Sequence, residues 1–197
     1  MSDAVRLIVG LGNPGDEYAH TRHNAGAEFV AALAARHGET LRPEKKFSGL
    51  TARVSEAGQD LRLLVPTTFY NSTGDAVVPM LNFYRIPSSA LLLVHDELDL
   101  PPGVARLKQG GGHGGNNGVR DTIRALGGDA DFGRLRLGVG HPGDKSRVTG
   151  FLLTRAPKSE RALLETAIDE ALRVVPDLVE GRWEQAMTEL HTRTKAP

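Results

Sequence analysis

The sequence predicts one α/β domain over residues 1–197, a mixed, twisted β-sheet flanked by helices. Three observations carry that prediction. Short apolar runs at 7–9, 91–94 and 135–139 have the length and continuity of buried strands. Segments of helical periodicity separate them, as a sheet with crossover connections requires. No repeat, low-complexity tract or linker divides the chain, and 197 residues are enough for one sizeable core.

Taken in order, Leu7, Ile8 and Val9 form the first strand, which stops at Gly10. The loop GNPGDEYAHTRHN follows, and helical spacing resumes only after His23, with Phe29, Val30 and Leu33. Gly38 ends that helix, and Arg42–Lys46 reads as a charged turn. Residues 47–54 and 61–65 read as a hairpin of two strands. PTTFYNSTG at 66–74 then leads into a second helix through Val77, Val78, Leu81 and Phe83, with Pro79 tolerable only near its first turns. Asn71 at this junction either caps that helix or faces a ligand. A strand at 91–94 runs into HDELDLPPG, and a short strand at 104–108 leads to GGGHGGNNG at 110–118. So many glycines are costly in conformational entropy and point to backbone that turns sharply or closely approaches a ligand. A helix at 119–126, with Asn117 near its amino terminus, and a strand at 135–139 come next. Residues 146–156 show no decisive pattern. From Ser159, Leu164, Ile168 and Leu172 mark an amphipathic helix, and 183–191 a last short one.

Composition narrows the function. The 24 basic and 24 acidic residues cancel, which argues against a generally basic coat for nucleic acid. The charge is uneven, however: residues 106–158 carry 10 basic and 4 acidic side chains, while the flanking segments are net negative. Such a basic middle segment fits a localised polyanion site, although a solvated face would look the same. With no cysteine, disulfides, thiolate metal sites and a cysteine nucleophile are excluded. No signal peptide or membrane-length apolar run is evident, so a cytoplasmic protein is expected.

The polar residues gather at predicted strand ends, where open α/β sheets bind ligands. GLGNPG matches a dinucleotide fingerprint, but no helix opens at its third glycine and no acid ends a second strand at the expected distance. No Gly-Lys-Ser/Thr follows the later glycine loop, so it is not a phosphate-binding P-loop. His23 and Asp96 supply a base and an orienting acid, the minimum needed to activate water. Asn13, Asn71 and Asn117 can position a carbonyl and a water without adding charge. A zinc site drawn from His20, His23, His95, Asp96, Glu97 and His113 is the rival reading, yet the spacing of His20 and His23 on a glycine-proline loop is poor for a metal.

Together, GLGNPG with EY, TRHN and Gly26, then LLVPTTFYN at 63–71, HDELDLPPG, GGGHGGNNG and RLRLGVGHPGDK at 134–145 resemble bacterial peptidyl-tRNA hydrolases. The match runs in order from about residue 5 to 155. The resemblance implies a monomeric phosphorylase/hydrolase-type α/β fold that cleaves the ester between a peptide and the 3′ ribose of tRNA, engages the acceptor arm and needs no cofactor or metal. It further implies His23 as general base with Asp96 as its partner, and Asn13, Asn71 and Asn117 as substrate- and water-positioning residues. Tyr18 and Tyr70 are expected at the substrate, and Arg106, Lys108 and Arg136 on the tRNA. Two positions depart from the family's commonest pattern. Tyr70 stands where methionine is usual and Asn116 where histidine is usual, so Tyr70 is expected to narrow or re-polarise the peptide cleft. A catalytically silent RNA-binding relative is the alternative.

Overall fold

The computed structural model describes residues 3–196. Its seven strands are β1 (Leu7–Gly10), β2 (Arg42–Glu44), β3 (Gly49–Glu56), β4 (Gln59–Pro66), β5 (Leu91–Glu97), β6 (Ala105–Gln109) and β7 (Gly133–Gly138). Its helices are α1 (Ala25–Arg36), α2 (Gly74–Phe83), α3 (Asn117–Ala125), α4 (Val148–Leu152), α5 (Lys158–Arg173), α6 (Val175–Val179) and α7 (Trp183–Arg193). One sheet forms in the order β2-β3-β4-β1-β5-β7-β6. The central four strands are parallel, while β2, β3 and β6 join antiparallel at the two sides.

Period-two alternation splits the core between two faces. Ile8, Leu63, Leu92 and Leu135 pack with α1 and the C-terminal helices, whereas Leu7, Val9, Leu64, Leu91 and Leu93 pack with α2 and α3. Each such buried side chain contributes about 1.5–3 kcal/mol. The chain leaves β1 through α1, returns as β4 on one side of β1, and passes through α2 to β5 on the other. This reversal opens a crevice at the carboxyl ends of β1 and β5. Glycines set its depth: a Cβ on Gly26 would lie 2.0 Å from the Val94 carbonyl oxygen, and one on Gly10 2.2 Å from that of Gly26. The first turn of α1 therefore sits directly on the strand ends, immediately after His23.

The structure corrects several expectations. Residues 42–44 form an edge strand rather than a turn, with Pro43 tolerated there. Phe47 belongs to a 3-10 turn, and left-handed Ser48 precedes β3. Pro79 is the sixth residue of α2, in its second turn. Asn71 caps nothing: it lies in a 3-10 turn, and the Gly74 N–H at the start of α2 donates instead to Asp121 of α3 at 2.7 Å. Asn117 is the first residue of α3, near its amino terminus as expected, and the cap before it is Asn116, its Oδ1 accepting from the Val119 N–H at 3.0 Å. The ambiguous 146–156 region contains α4. Arg22 anchors it by donating to the Phe151 carbonyl at 2.9 Å and stacking on the Phe151 ring.

The edge strand β6 is covered. The outward N–H groups of Ala105 and Leu107 donate to Thr194 Oγ1 at 3.1 Å and His191 Nε2 at 2.9 Å. Gln109 reaches Met187 in the same row. The spacing 187, 191, 194 lies along one helical face, so α7 and its end satisfy strand donors that would otherwise template pairing with another chain.

Candidate active site

A cleft of about 810 Å³ lies at the carboxyl ends of β1 and β5, lined among others by Asn13, His23, Asn71, Asp96 and Asn117. Residues separated by 73 positions meet there: His23 Nδ1 lies 2.9 Å from Asp96 Oδ2 and 3.1 Å from Oδ1. The Asp96 side chain is 2% exposed and that of His23 15%. A carboxylate at Nδ1 selects the tautomer that carries its proton on Nδ1, which leaves the lone pair on Nε2.

The three asparagines differ in anchorage. Asn13 Oδ1 accepts from the Tyr70 N–H at 2.9 Å, so its Nδ2 donors are the part left for a ligand. The Asn13 backbone is clamped by Asn24, whose Oδ1 accepts from the Asn13 N–H at 2.8 Å and whose Nδ2 donates to the Asn13 carbonyl at 2.9 Å. Asn71 is exposed at the rim, and Asn117 opens α3. Around them, Phe69 is 62% exposed, and Val148, Leu152 and Leu153 give the cleft an apolar wall.

The peptidyl-tRNA hydrolase family profile matches residues 7–197. The chain belongs to the peptidyl-tRNA hydrolase family. It is 58% identical over 190 residues to the peptidyl-tRNA hydrolase of Azotobacter vinelandii, covering 96% of this chain and 98% of that protein. The peptidyl-tRNA hydrolase of Tolumonas auensis is 55% identical over 192 residues, with 98% of each chain covered. The crystal structure of the Acinetobacter baumannii enzyme superposes with a TM-score of 0.95 at 50% identity, covering 100% of this chain and 99% of that one. The protein is thus a hydrolase of peptidyl-tRNA with the α/β fold that the sequence predicts.

Within this peptidyl-tRNA hydrolase the other expected residues fall in different places. Tyr18 sits half-buried in a 3-10 turn after Gly15 and is not among the cleft-lining residues. Tyr70 lines the cleft beside His23 and Asp96, mostly buried in its wall. It is 4% exposed, donates from its hydroxyl to Asp96 Oδ1 at 2.8 Å, and stacks on the His23 ring at 3.6 Å and 13°. Arg106 and Arg136 are direct cross-strand partners, as are Lys108 and Arg134, so four cations share one face of β6 and β7. Arg136 approaches Glu97 of the cleft at 3.8 Å. Arg106 is partly committed, its Nη1 donating to the Ala105 and Thr194 carbonyls at 2.7 and 2.8 Å. Burial, and secondly Arg136, lowers its pKa.

Four further residues surround the site, of which only Arg134 is not singled out in the sequence. Asn116 donates to the Tyr70 hydroxyl at 2.8 Å. Arg134 is buried and holds the glycine loop through the carbonyls of Gly111, Gly112 and Ala130, each at 2.9 Å. Burial lowers its pKa to about 10. Glu97 has its carboxyl pKa raised, chiefly by burial. His95, packed behind Asp96, donates from Nδ1 to the Asp96 carbonyl at 2.8 Å, and burial lowers its pKa. Of the candidate metal ligands, His20 turns away to Glu28 at 2.6 Å, and His113 accepts from the Gly115 N–H at 2.9 Å. Among the described residues no three His, Asp or Glu converge as a metal site, and no helix is long and apolar enough to cross a membrane.

Proposed function

We propose that this hydrolase works by direct attack of water, with His23 as general base and Asp96 as its orienting acid. The observation that carries the reading is the 2.9 Å pairing of His23 Nδ1 with a nearly buried Asp96 carboxylate at the wall of the cleft. With Nδ1 occupied, Nε2 takes the proton from water as the oxygen bonds to the ester carbonyl carbon. The Asp96 charge stabilises the imidazolium that forms. Collapse of the tetrahedral intermediate breaks the bond to the ribose 3′ oxygen, which leaves with the proton held on Nε2. The free peptide acid and the tRNA are the products.

Asn13 and Asn117 supply neutral donors for the substrate carbonyl and the water, and Asn71 at the rim holds the peptide backbone. Phe69 and the Leu152–Leu153 wall receive apolar parts of the substrate. The face of β6 and β7 binds phosphates of the acceptor arm, with Lys108 and Arg136 the principal contacts and Arg106 a partly committed third. The acting unit we assign is the monomer. Neither step requires a cofactor, and the setting we assign is the cytoplasm, where tRNA is charged and used. The test is hydrolysis of a defined N-acetyl-aminoacyl-tRNA by the protein and by His23→Ala, with and without chelator. Loss in the variant and indifference to chelator are expected, whereas wild-type turnover by the variant would remove His23 from the mechanism.

A further inference from the structure

Tyr70 and Asn116 touch each other, and through that contact they reach Asp96. Asn116 Nδ2 donates to the Tyr70 hydroxyl at 2.8 Å, and that hydroxyl donates to Asp96 Oδ1 at 2.8 Å. The direction of the chain is defined at its far end. Asn116 Oδ1 is consumed by the Val119 N–H as the cap of α3, so the amide must present its NH₂ to Tyr70. An oxygen that accepts from Asn116 is left to give its own proton to Asp96. At the other carboxylate oxygen, His23 Nδ1 donates at 2.9 Å. The Tyr70 ring, stacked on the imidazole, stops His23 from rotating out of that bond.

We propose that Tyr70 and Asn116 form a coupled positioning pair, a directed relay from the cap of α3 through the phenol to Asp96, which fixes the carboxylate and the ring plane of His23. The inference rests on the His23–Asp96 reading above. Two donors on one carboxylate hold it in a single rotamer and share its charge. The phenol itself stays neutral, since burial and the Asp96 charge both raise its pKa well above the ordinary value. The pair also ties the glycine loop to the catalytic wall, because the same Asn116 that caps α3 ends that loop.

The experiment is the pH profile of kcat and KM for hydrolysis of a defined N-acetyl-aminoacyl-tRNA, with Asp96→Asn as control. The variants are Tyr70→Phe, Asn116→Ser and the double. Phenylalanine keeps the stack and removes only the donor. Serine keeps a good helix cap but does not span to Tyr70. Tyr70→Phe should lower kcat about tenfold, the low end for a lost hydrogen bond to a charged group, with KM little changed. The acidic limb of the kcat profile should move to higher pH, since Asp96 then holds the imidazolium more strongly. Asn116→Ser should lower kcat less, and should add nothing in the Tyr70→Phe background. A Tyr70→Phe enzyme with wild-type kcat and an unmoved limb overturns the proposal, as do additive effects of the two substitutions. If Asp96→Asn itself retains kcat, the underlying His23–Asp96 reading fails first and takes the relay with it. If only Asp96→Asn loses activity, that reading stands and the relay alone is wrong.

Discussion

The cleft wall of His23, Asp96 and Tyr70 and the basic face of β6 and β7 handle charge in opposite ways. At the wall, one carboxylate is buried and met by directed donors from His23 and Tyr70. On the basic face, like charges stand opposite one another, Arg106 against Arg136 and Lys108 against Arg134. Directly opposed like charges destabilise a sheet. The protein tolerates them by turning Arg134 onto loop carbonyls and Arg106 onto the C-terminal end, rather than by supplying a matched carboxylate for each. The first region is complete in itself and acts through geometry. The second is left in electrostatic deficit, which a polyanion can relieve.

If that contrast holds, damage to the wall should change turnover and damage to the face should change binding. The largest expected effect is His23→Ala, which should lower kcat by about 10²–10⁴-fold while leaving tRNA affinity nearly unchanged. Single-turnover kinetics beside equilibrium binding would separate the two, and a parallel loss of affinity would break the contrast. Asp96→Asn should likewise lower kcat more than it raises KM, because the acid acts on the charge that His23 acquires in the transition state.

Arg134 tests the structural half of the basic face. Arg134→Met removes a buried guanidinium that satisfies three carbonyls. We expect a stability loss of about 2 kcal/mol, hence a Tm lower by roughly 4–8 °C, together with faster amide exchange across residues 110–116. An unchanged melt would mean that the loop is held by something else.

Salt dependence tests the functional half. With two to four phosphates engaged, the log–log slope of 1/KM against salt for tRNA substrates should be roughly −1.5 to −3.5. Lys108→Ala should flatten it by about one unit at most. Arg106 is a poorer probe, because its removal also takes a donor from the Thr194 carbonyl and hydroxyl. A peptide esterified to a single adenosine should show almost no slope, and equal slopes for the two substrates would reduce the basic face to a solvated surface.

The smallest effect concerns the covered edge. His191 accepts the Leu107 N–H through Nε2, which requires the neutral ring, and burial, then Arg106 and Arg136, lower its pKa from 6.5. A folded pKa below the unfolded one means that the unfolded chain binds more protons. His191 therefore adds stability above about pH 6.5, lost as pH falls toward its folded value. Buried His95 has the same sign. His191→Gln keeps an acceptor without the titration, so its Tm should fall less steeply between pH 7 and 5 than that of the unaltered protein.

Much of this architecture depends on short-range regularity and is legible in the chain itself. Apolar runs stopped by glycine give strands, and loops at their carboxyl ends carry His23, Asp96 and Asn117, because period and turn chemistry act between near neighbours. The charge of residues 106–158 is likewise a matter of counting. Tertiary structure alone decided that Asp96 meets both His23 and Tyr70, 73 and 26 residues away, and that Asn116 reaches Tyr70 across 46. It alone turned Arg134 inward and laid His191 and Thr194 along β6. A hydrogen bond between distant segments leaves no periodicity in either one. Which donor finds which acceptor is set by how closely the elements approach, and here that approach was set by Gly10 and Gly26, where a single Cβ would have forced α1 off the strand ends.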